Sequence, residues 1–275
     1  MSLFFDHDAL INENDNDFQY LGCRFGRHVL IEKGVTFDVV GGFIGDRTII
    51  RSGARVEGNS VVLGTESYID HYARIGGGSC KDKGAFLNAR DWFHMGEFSQ
   101  VNIARGVECG EEVGVGVGSR IFTHGAYLPC DQGFPVQWAG VKIGHRVWLP
   151  HAWVNPGTQI GDNVVVAAMS LVNCNLPSGC LAGGIPVKVL KENAYPVEDH
   201  DAVARLGIKG ISIKEVNRSE VVICGDTYFD IKGRTIEGPA TEESERVKNQ
   251  LRRNGIRFKF TAIEGEYRSW EEAYS

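Results

Sequence analysis

The 275-residue chain reads as an all-β parallel solenoid built from six-residue units, followed by a small C-terminal α/β module. Three observations predict this: an aliphatic residue at every sixth position, a recurrent aliphatic–glycine pair, and a change of pattern after Lys191. The pairs are Ile44-Gly45, Ile75-Gly76, Met95-Gly96, Cys109-Gly110, Val115-Gly116, Ile143-Gly144 and Ile160-Gly161. The sixth positions run Ile44, Ile50, Val56, Val62, then Ile103, Cys109, Val115, Ile121, then Ile143, Leu149 and Ile160, Val166, Val172. Four residues after many of these stands a second small or β-branched residue, as at Ala54, Ser60, Val107, Val113, Val147, Val164 and Ser170.

A period of six matches neither an amphipathic helix, at about 3.6, nor a solvent-faced strand, at about 2. It fits a coil with three flat faces, each unit supplying one short strand and one tight corner. The aliphatic residue points inward and stacks on its equivalent one coil away, while glycine, asparagine or aspartate frees the backbone at the corners. Three units, roughly 18 residues, complete a coil, and no coil buries its face alone, so stacking drives folding. A β-sandwich would instead show period-2 alternation with turns every 8–12 residues or so.

The repeat breaks in three places. Ile143 to Ile160 is one residue short of a coil, which predicts a tightened corner near Asn155-Pro156-Gly157. Residues 77–94 are irregular, and residues 125–141 lose the period altogether, with Pro129, Pro135, Tyr127, Phe134 and Trp138. Insertions in a solenoid collect on a functional face.

These changes of pattern divide the chain into an N-terminal segment (1–21), the solenoid (22–191), a polar linker (192–200) and the C-terminal module (201–275). In the module, residues 219–223 and 228–231 read as strands joined by a Gly225-Asp226 turn. Thr241 opens a helix with Glu242, Glu243 and Glu245 in its first turn, Arg252 and Arg253 in its last, and Gly255 just beyond it. Residues 256–263 read as a closing strand. The module's expected part is structural, covering the open end of the solenoid or adding to an oligomer interface.

Composition narrows the function classes. The net charge of −6 and the absence of a basic run argue against nucleic acid or an anionic membrane as partner. No apolar stretch approaches the roughly 20 residues of a membrane span, and the acidic N-terminus lacks the pattern of a signal peptide. Seven scattered cysteines without a Cys-x-x-Cys pair read as reduced thiols, hence a cytoplasmic protein.

Among eight histidines, His124 directly follows a hexad strand and precedes the irregular aromatic loop, where ordered scaffold meets an expected lid. Imidazole, with an unperturbed pKa of about 6.5, suits a general base. His94, in DWFHMGEF, is its rival; His7 and His200 lie in polar segments, and His28, His71 and His145 at corners.

Residues 141–191, VKIGHRVWLPHAWVNPGTQIGDNVVVAAMSLVNCNLPSGCLAGGIPVKVLK, resemble the hexapeptide-repeat acyltransferases, in particular the branch containing sugar O-acetyltransferases. The strings IGHRVW, NPGTQIGDNVVV and GGIPVKVLK stand at that branch's positions and in its order, and the hexads extend the resemblance from about residue 23 to residue 191. The resemblance implies a left-handed parallel β-helix of hexapeptide repeats. It also implies a homotrimer with acetyl-CoA in the groove between neighbouring solenoids, a sugar or saccharide acceptor, and one catalytic histidine just before a protruding loop, here His124. For CoA it points to Ala168, where a small residue admits the pantetheine arm, although Met169 replaces the usual glycine. Asn173 and Cys174 stand where threonine and lysine are common. Without a lysine at 174, Lys188 and Lys191, beside Pro186, become the candidates for the CoA phosphates. His151 occupies the place of a small polar residue near the thiol end of CoA. Asn88, Asn102, Tyr127 and Trp138 are the candidate acceptor contacts.

Transfer to an amine of a nucleotide-linked sugar, or to serine, keeps the same chemistry. A zinc hydratase on the same solenoid would need three histidines, two of them five residues apart, and His145 and His151 are six apart. A non-catalytic scaffold is the remaining class. No metal ligand set is expected.

Overall fold

The computed structural model describes residues 22–197, 199, 201–216 and 219–273, together with the backbone of Leu3–Phe4, Leu10–Ile11 and Phe18–Tyr20. The chain forms two compact units, residues 1–197 and 198–275. His7 and His200 lie outside the described residues, as does most of the 1–21 segment. Among the described residues, no helix is long and apolar enough to cross a membrane.

The first unit is a three-faced stack of short parallel strands. On its first face the inward rungs are Phe25, Ile44, Leu63, Ala89, Cys109, Ile143 and Ile160, each paired with the next. On the second they are Phe37, Val56, Ile75, Val101, Ile121, Val154 and Val172. The third carries Ile31, Ile50, Ile69, Met95, Val115, Leu149, Val166 and Ala182. All are buried and form one continuous core. Each buried Val, Ile or Leu contributes about 1.5–3 kcal/mol of transfer free energy, so the stack accounts for the unit.

Within the stack itself, strands run antiparallel at the two ends. Leu3–Phe4, Leu10–Ile11 and Phe18–Tyr20 pair antiparallel with the first rungs of the three faces. At the other end Lys188–Lys191 lies antiparallel to Leu181–Gly183 on the third face. Reversed end strands occupy edges that would otherwise invite pairing with another chain.

Three details of the hexad reading change. Coils are not uniform: equivalent corners, read from hydrogen bonds that climb one edge, are 19, 26, 34, 17 and 16 residues apart. Val62 is not an inward rung, because Arg55–Leu63 is one long strand that turns a corner and carries Val56, Val61 and Leu63 inward. The short coil is tightened at Pro150-His151 rather than at Asn155-Pro156-Gly157. Val115 and Ile121 pair with Leu149 and Val154, so the missing residue falls between the latter two.

Glycine also acts differently from the expectation. The left-handed corner positions are filled mainly by other residues, such as Tyr72, Trp92, Phe98 and Met169, with φ of 57–59°. The glycines of the aliphatic–glycine pairs instead mark close approach of successive coils. A Cβ on Gly110 would lie 2.7 Å from the Gly144 carbonyl carbon, and one on Gly45 would lie 2.5 Å from that of Gly64.

In the second unit, Ser212–Val216, Ser219–Cys224, Thr227–Asp230 and Thr235–Glu237 form an antiparallel sheet in sequence order. Helix Glu242–Arg253 starts where Thr241 predicts it. Thr241 Oγ1 accepts from the Ser244 N–H at 3.1 Å, and Ser244 Oγ accepts from the Thr241 N–H at 2.9 Å. The closing strand is shorter than expected, Phe260–Ile263, in a hairpin with Glu266–Ser269. Val222, Phe229, Ile236, Val247, Leu251 and Phe258 make a separate core.

Candidate active site

Both long breaks in the repeat emerge at one corner, where the second face passes to the first. One runs from the end of Arg74–Ile75 to Phe86–Ala89, the other from Arg120–Ile121 to Val141–Ile143. Between them lies the short corner joining Gln100–Val101 to Val107–Cys109, which carries Asn102 and Arg105. Three successive coils therefore bring a glycine-rich loop, an asparagine and a histidine together.

His124 begins the neck of the longer loop. His124–Gly125 pairs antiparallel with Gln137–Trp138, and the Ala139 N–H donates to the Thr123 carbonyl at 3.0 Å. The indole of Trp138 lies flat on the imidazole, with centroids 4.5 Å apart and planes 11° from parallel. The Arg105 guanidinium stacks on Trp138 at 4.7 Å, and Arg105 Nη1 donates to the Ala104 carbonyl at 2.7 Å.

Asn102 is 3% exposed. Its Oδ1 accepts from the Thr123 hydroxyl at 2.6 Å and the Ala104 N–H at 3.3 Å, while its Nδ2 donates to the Gly78 carbonyl at 3.4 Å. The Ala104 N–H can only donate, which fixes the amide orientation. His124 Nδ1, 3.0 Å from the same Oδ1, must then carry the hydrogen. That leaves Nε2 with its lone pair. A Cβ on Gly78 would stand 3.6 Å from Nε2, so glycine keeps the approach clear there.

The remaining candidates fall elsewhere. Tyr127 is 97% exposed near the loop tip. Asn88 points outward from the first face, in an open groove of about 770 Å³, away from His124. His151 lies at the corner between the third and second faces, its Nδ1 2.7 Å from the Val117 carbonyl. With Trp153, Met169, Ser170, Leu171 and Ile185 it lines a cavity of about 400 Å³. Ala168 is exposed beside Met169 at this corner, and Pro186 follows Ile185. Asn173 is exposed where the last second-face strand ends, on the His124 side, and Lys188 and Lys191 lie in the exposed end strand. Within one chain, then, His124 and the cavity of His151 occupy different corners, on either side of the second face.

The rival histidines are engaged in the scaffold. His145 Nδ1 accepts from the Glu111 N–H at 3.2 Å, and His94 stacks on Tyr68 at 5.2 Å on the third face. Sequence reasoning missed Arg105 and the loop glycines. The run Gly76-Gly77-Gly78 is the available signal for the glycines.

No family model matches the chain. Its curated relatives are acetyltransferases. Galactoside O-acetyltransferase of Escherichia coli K12 is 42% identical over 53 residues, 19% of this chain and 26% of that protein. An E. coli K12 protein named as a lipopolysaccharide-biosynthesis O-acetyl transferase, WbbJ, is 29% identical over 38% of this chain and 57% of its own. One named for colanic acid biosynthesis, WcaF, is 35% identical over 25% of this chain and 38% of its own. The chain resembles the hexapeptide-repeat acyltransferases. It spans between 26% and 57% of the length of these curated relatives. Among solved structures, a hexapeptide-repeat acetyltransferase of Vibrio cholerae aligns over 48% of this chain and 73% of its own, at 24% identity and a TM-score of 0.35.

Proposed function

We propose that this chain transfers an acetyl group from acetyl-CoA to a hydroxyl of a sugar or saccharide, with His124 as general base. The observation that carries the reading is the His124–Asn102 pair at the corner where both insertions emerge. A buried amide holds Nδ1–H and leaves Nε2 basic beside a cleared approach. The acceptor hydroxyl gives its proton to Nε2 as its oxygen attacks the thioester carbonyl carbon. The tetrahedral intermediate then expels the CoA thiolate, the C–S bond breaks, and the imidazolium returns the proton to sulfur. Asn102 is a positioning residue in this scheme, and Trp138 clamps the imidazole from the loop side.

The CoA arm is assigned to the His151–Trp153–Met169–Ile185 cavity and Ala168, with Pro186, Lys188 and Lys191 toward its phosphate end, while Asn173, on the His124 side, would meet it from the neighbouring subunit. This reading requires a neighbouring subunit, since His124 and the cavity occupy different corners of one chain. A homotrimer of left-handed coils, with sites between subunits, meets that requirement. Sugar O-acetyltransferases among the relatives favour a saccharide acceptor, and a cytoplasmic location accords with cysteines that are all unpaired.

The test is thiol release from acetyl-CoA against hexoses, uronates, amino sugars, nucleotide sugars and serine, with chromatographic mass measured alongside. Saccharide-dependent release by a trimer is expected. Release only with an amine would move the acceptor to N-acetylation, and no CoA binding with no release would remove the acyltransferase reading.

A further inference from the structure

The outward rungs of the second face carry arginines in a chain whose net charge is −6. Arg55 and Arg74 share one carboxylate, Glu57, at 2.8 and 3.2 Å. Arg120, higher on the same face, has only an amide. Its Nη1 donates to Gln100 Oε1 at 2.8 Å, and it has no acidic partner among the described residues. Arg105, at the corner itself, reaches Asp82 only at 4.0 Å, with both side chains about half exposed. Four guanidiniums thus face two carboxylates along a surface that ends at His124.

Arg120 is the member of this set tied to the site. Gln100, which holds it, borders Gly77: a Cβ there would lie 3.5 Å from Gln100 Nε2 and 2.7 Å from Asn102 Nδ2. The next rung beyond Arg120 is Trp153, which lines the cavity at the other corner. Arg120 therefore lies between the proposed base and the proposed CoA cavity. A guanidinium spending one N–H on a neutral amide keeps the remaining donors of its fork for a carboxylate or phosphate.

Resting on the acetyl-transfer reading, we infer that the acceptor is an anionic saccharide whose carboxylate or phosphate is held by Arg120. The same chemistry has a second source, the phosphates of CoA, and a third, a carboxylate of a neighbouring subunit. The experiment separates them.

Thiol release from acetyl-CoA is followed with oligogalacturonate and with the matching neutral galactose oligomer, for wild type, Arg120→Gln and Arg120→Lys. The CoA dissociation constant and chromatographic mass are measured on the same preparations. Wild type is expected to favour the uronate in kcat/KM by about tenfold or more. In Arg120→Gln that preference collapses through KM, and Arg120→Lys recovers part of it, while CoA affinity and mass stay unchanged. Added salt raises KM for the uronate more than for the neutral oligomer. Equal use of both acceptors, or a preference that survives Arg120→Gln, overturns the inference. So does a loss of CoA binding or of assembly in Arg120→Gln, which would give the arginine to CoA or to the interface. Release with neutral acceptors alone sinks this inference and leaves the acetyl-transfer reading standing. Absence of release with every acceptor removes both.

Discussion

Replacing Asn102 by alanine separates the scaffold part of this residue from its part in positioning His124. The side chain is buried, and its Oδ1 accepts from Thr123, His124 and Ala104. Truncation leaves the Thr123 hydroxyl and the Ala104 N–H, both fully buried, without that acceptor. An unsatisfied buried donor costs roughly 1–3 kcal/mol. Thr123 Oγ1 has a second acceptor within reach, the Asn102 carbonyl at 3.2 Å, so the orphan that matters most is the Ala104 N–H. The expected loss is therefore about 2 kcal/mol, and the variant remains folded. Freed of its partner, the imidazole loses its fixed tautomer and ring orientation, for which a fall in kcat of roughly 10- to 100-fold is expected, by analogy with the loss when the supporting partners of metal-bound histidines are removed. The assay is acetyl-CoA turnover well below the melting temperature, with CoA affinity by calorimetry and stability by thermal melting. Asn102→Asp, which keeps an acceptor toward Nδ1, should retain more kcat than alanine. Wild-type kcat in a folded Asn102→Ala protein would refute the reasoning.

Three further outcomes follow from the fold. Burial pushes the Cys23 and Cys109 thiols up to about 12, and raises those of Cys180 and Cys224 as well. All four therefore stay protonated near pH 8, and only Cys130 and Cys174 are exposed, so a thiol reagent should label those two quickly and all seven after denaturation. Met169 holds φ of 59° with its side chain exposed, so Met169→Gly should stabilise the first unit by about 1 kcal/mol, read by chemical denaturation. Gly110→Ala puts a methyl 2.7–2.8 Å from three backbone atoms of the next coil, at Gly144 and His145, and should destabilise by about 1–3 kcal/mol in the same assay.

The six-residue period made the core legible. Cys109, Val115 and Ile121 are all buried rungs, as the pattern requires, whereas Ile103 is buried two residues past the second-face rung, Val101. The period states whether a side chain points in or out, but not at which corner an extra or missing residue is taken up. The period therefore puts Val62 one residue out and the short coil at the wrong corner. The same blindness hid the main feature of the site. Residues 77–94 and 125–141 read as separate irregularities, and only stacking shows both emerging at one corner. His124 was legible because it borders the longer insertion. Asn102 was picked out as an acceptor contact, yet its burial under Thr123 and His124 depends on residues one coil away. Asn88 carried the same chemical label and lies on another face. The aliphatic–glycine pairs pointed to the right coils for a partly different reason, since many of those glycines make room for the neighbouring backbone.

The most direct test is the rate of thiol release from acetyl-CoA by wild type and His124→Ala, using whichever saccharide supports turnover, with CoA affinity measured on both. Loss of a general base predicts a fall of roughly 100- to 10,000-fold in kcat with CoA affinity unchanged. Equal rates in the two proteins would contradict the account, which gives the acceptor proton to His124.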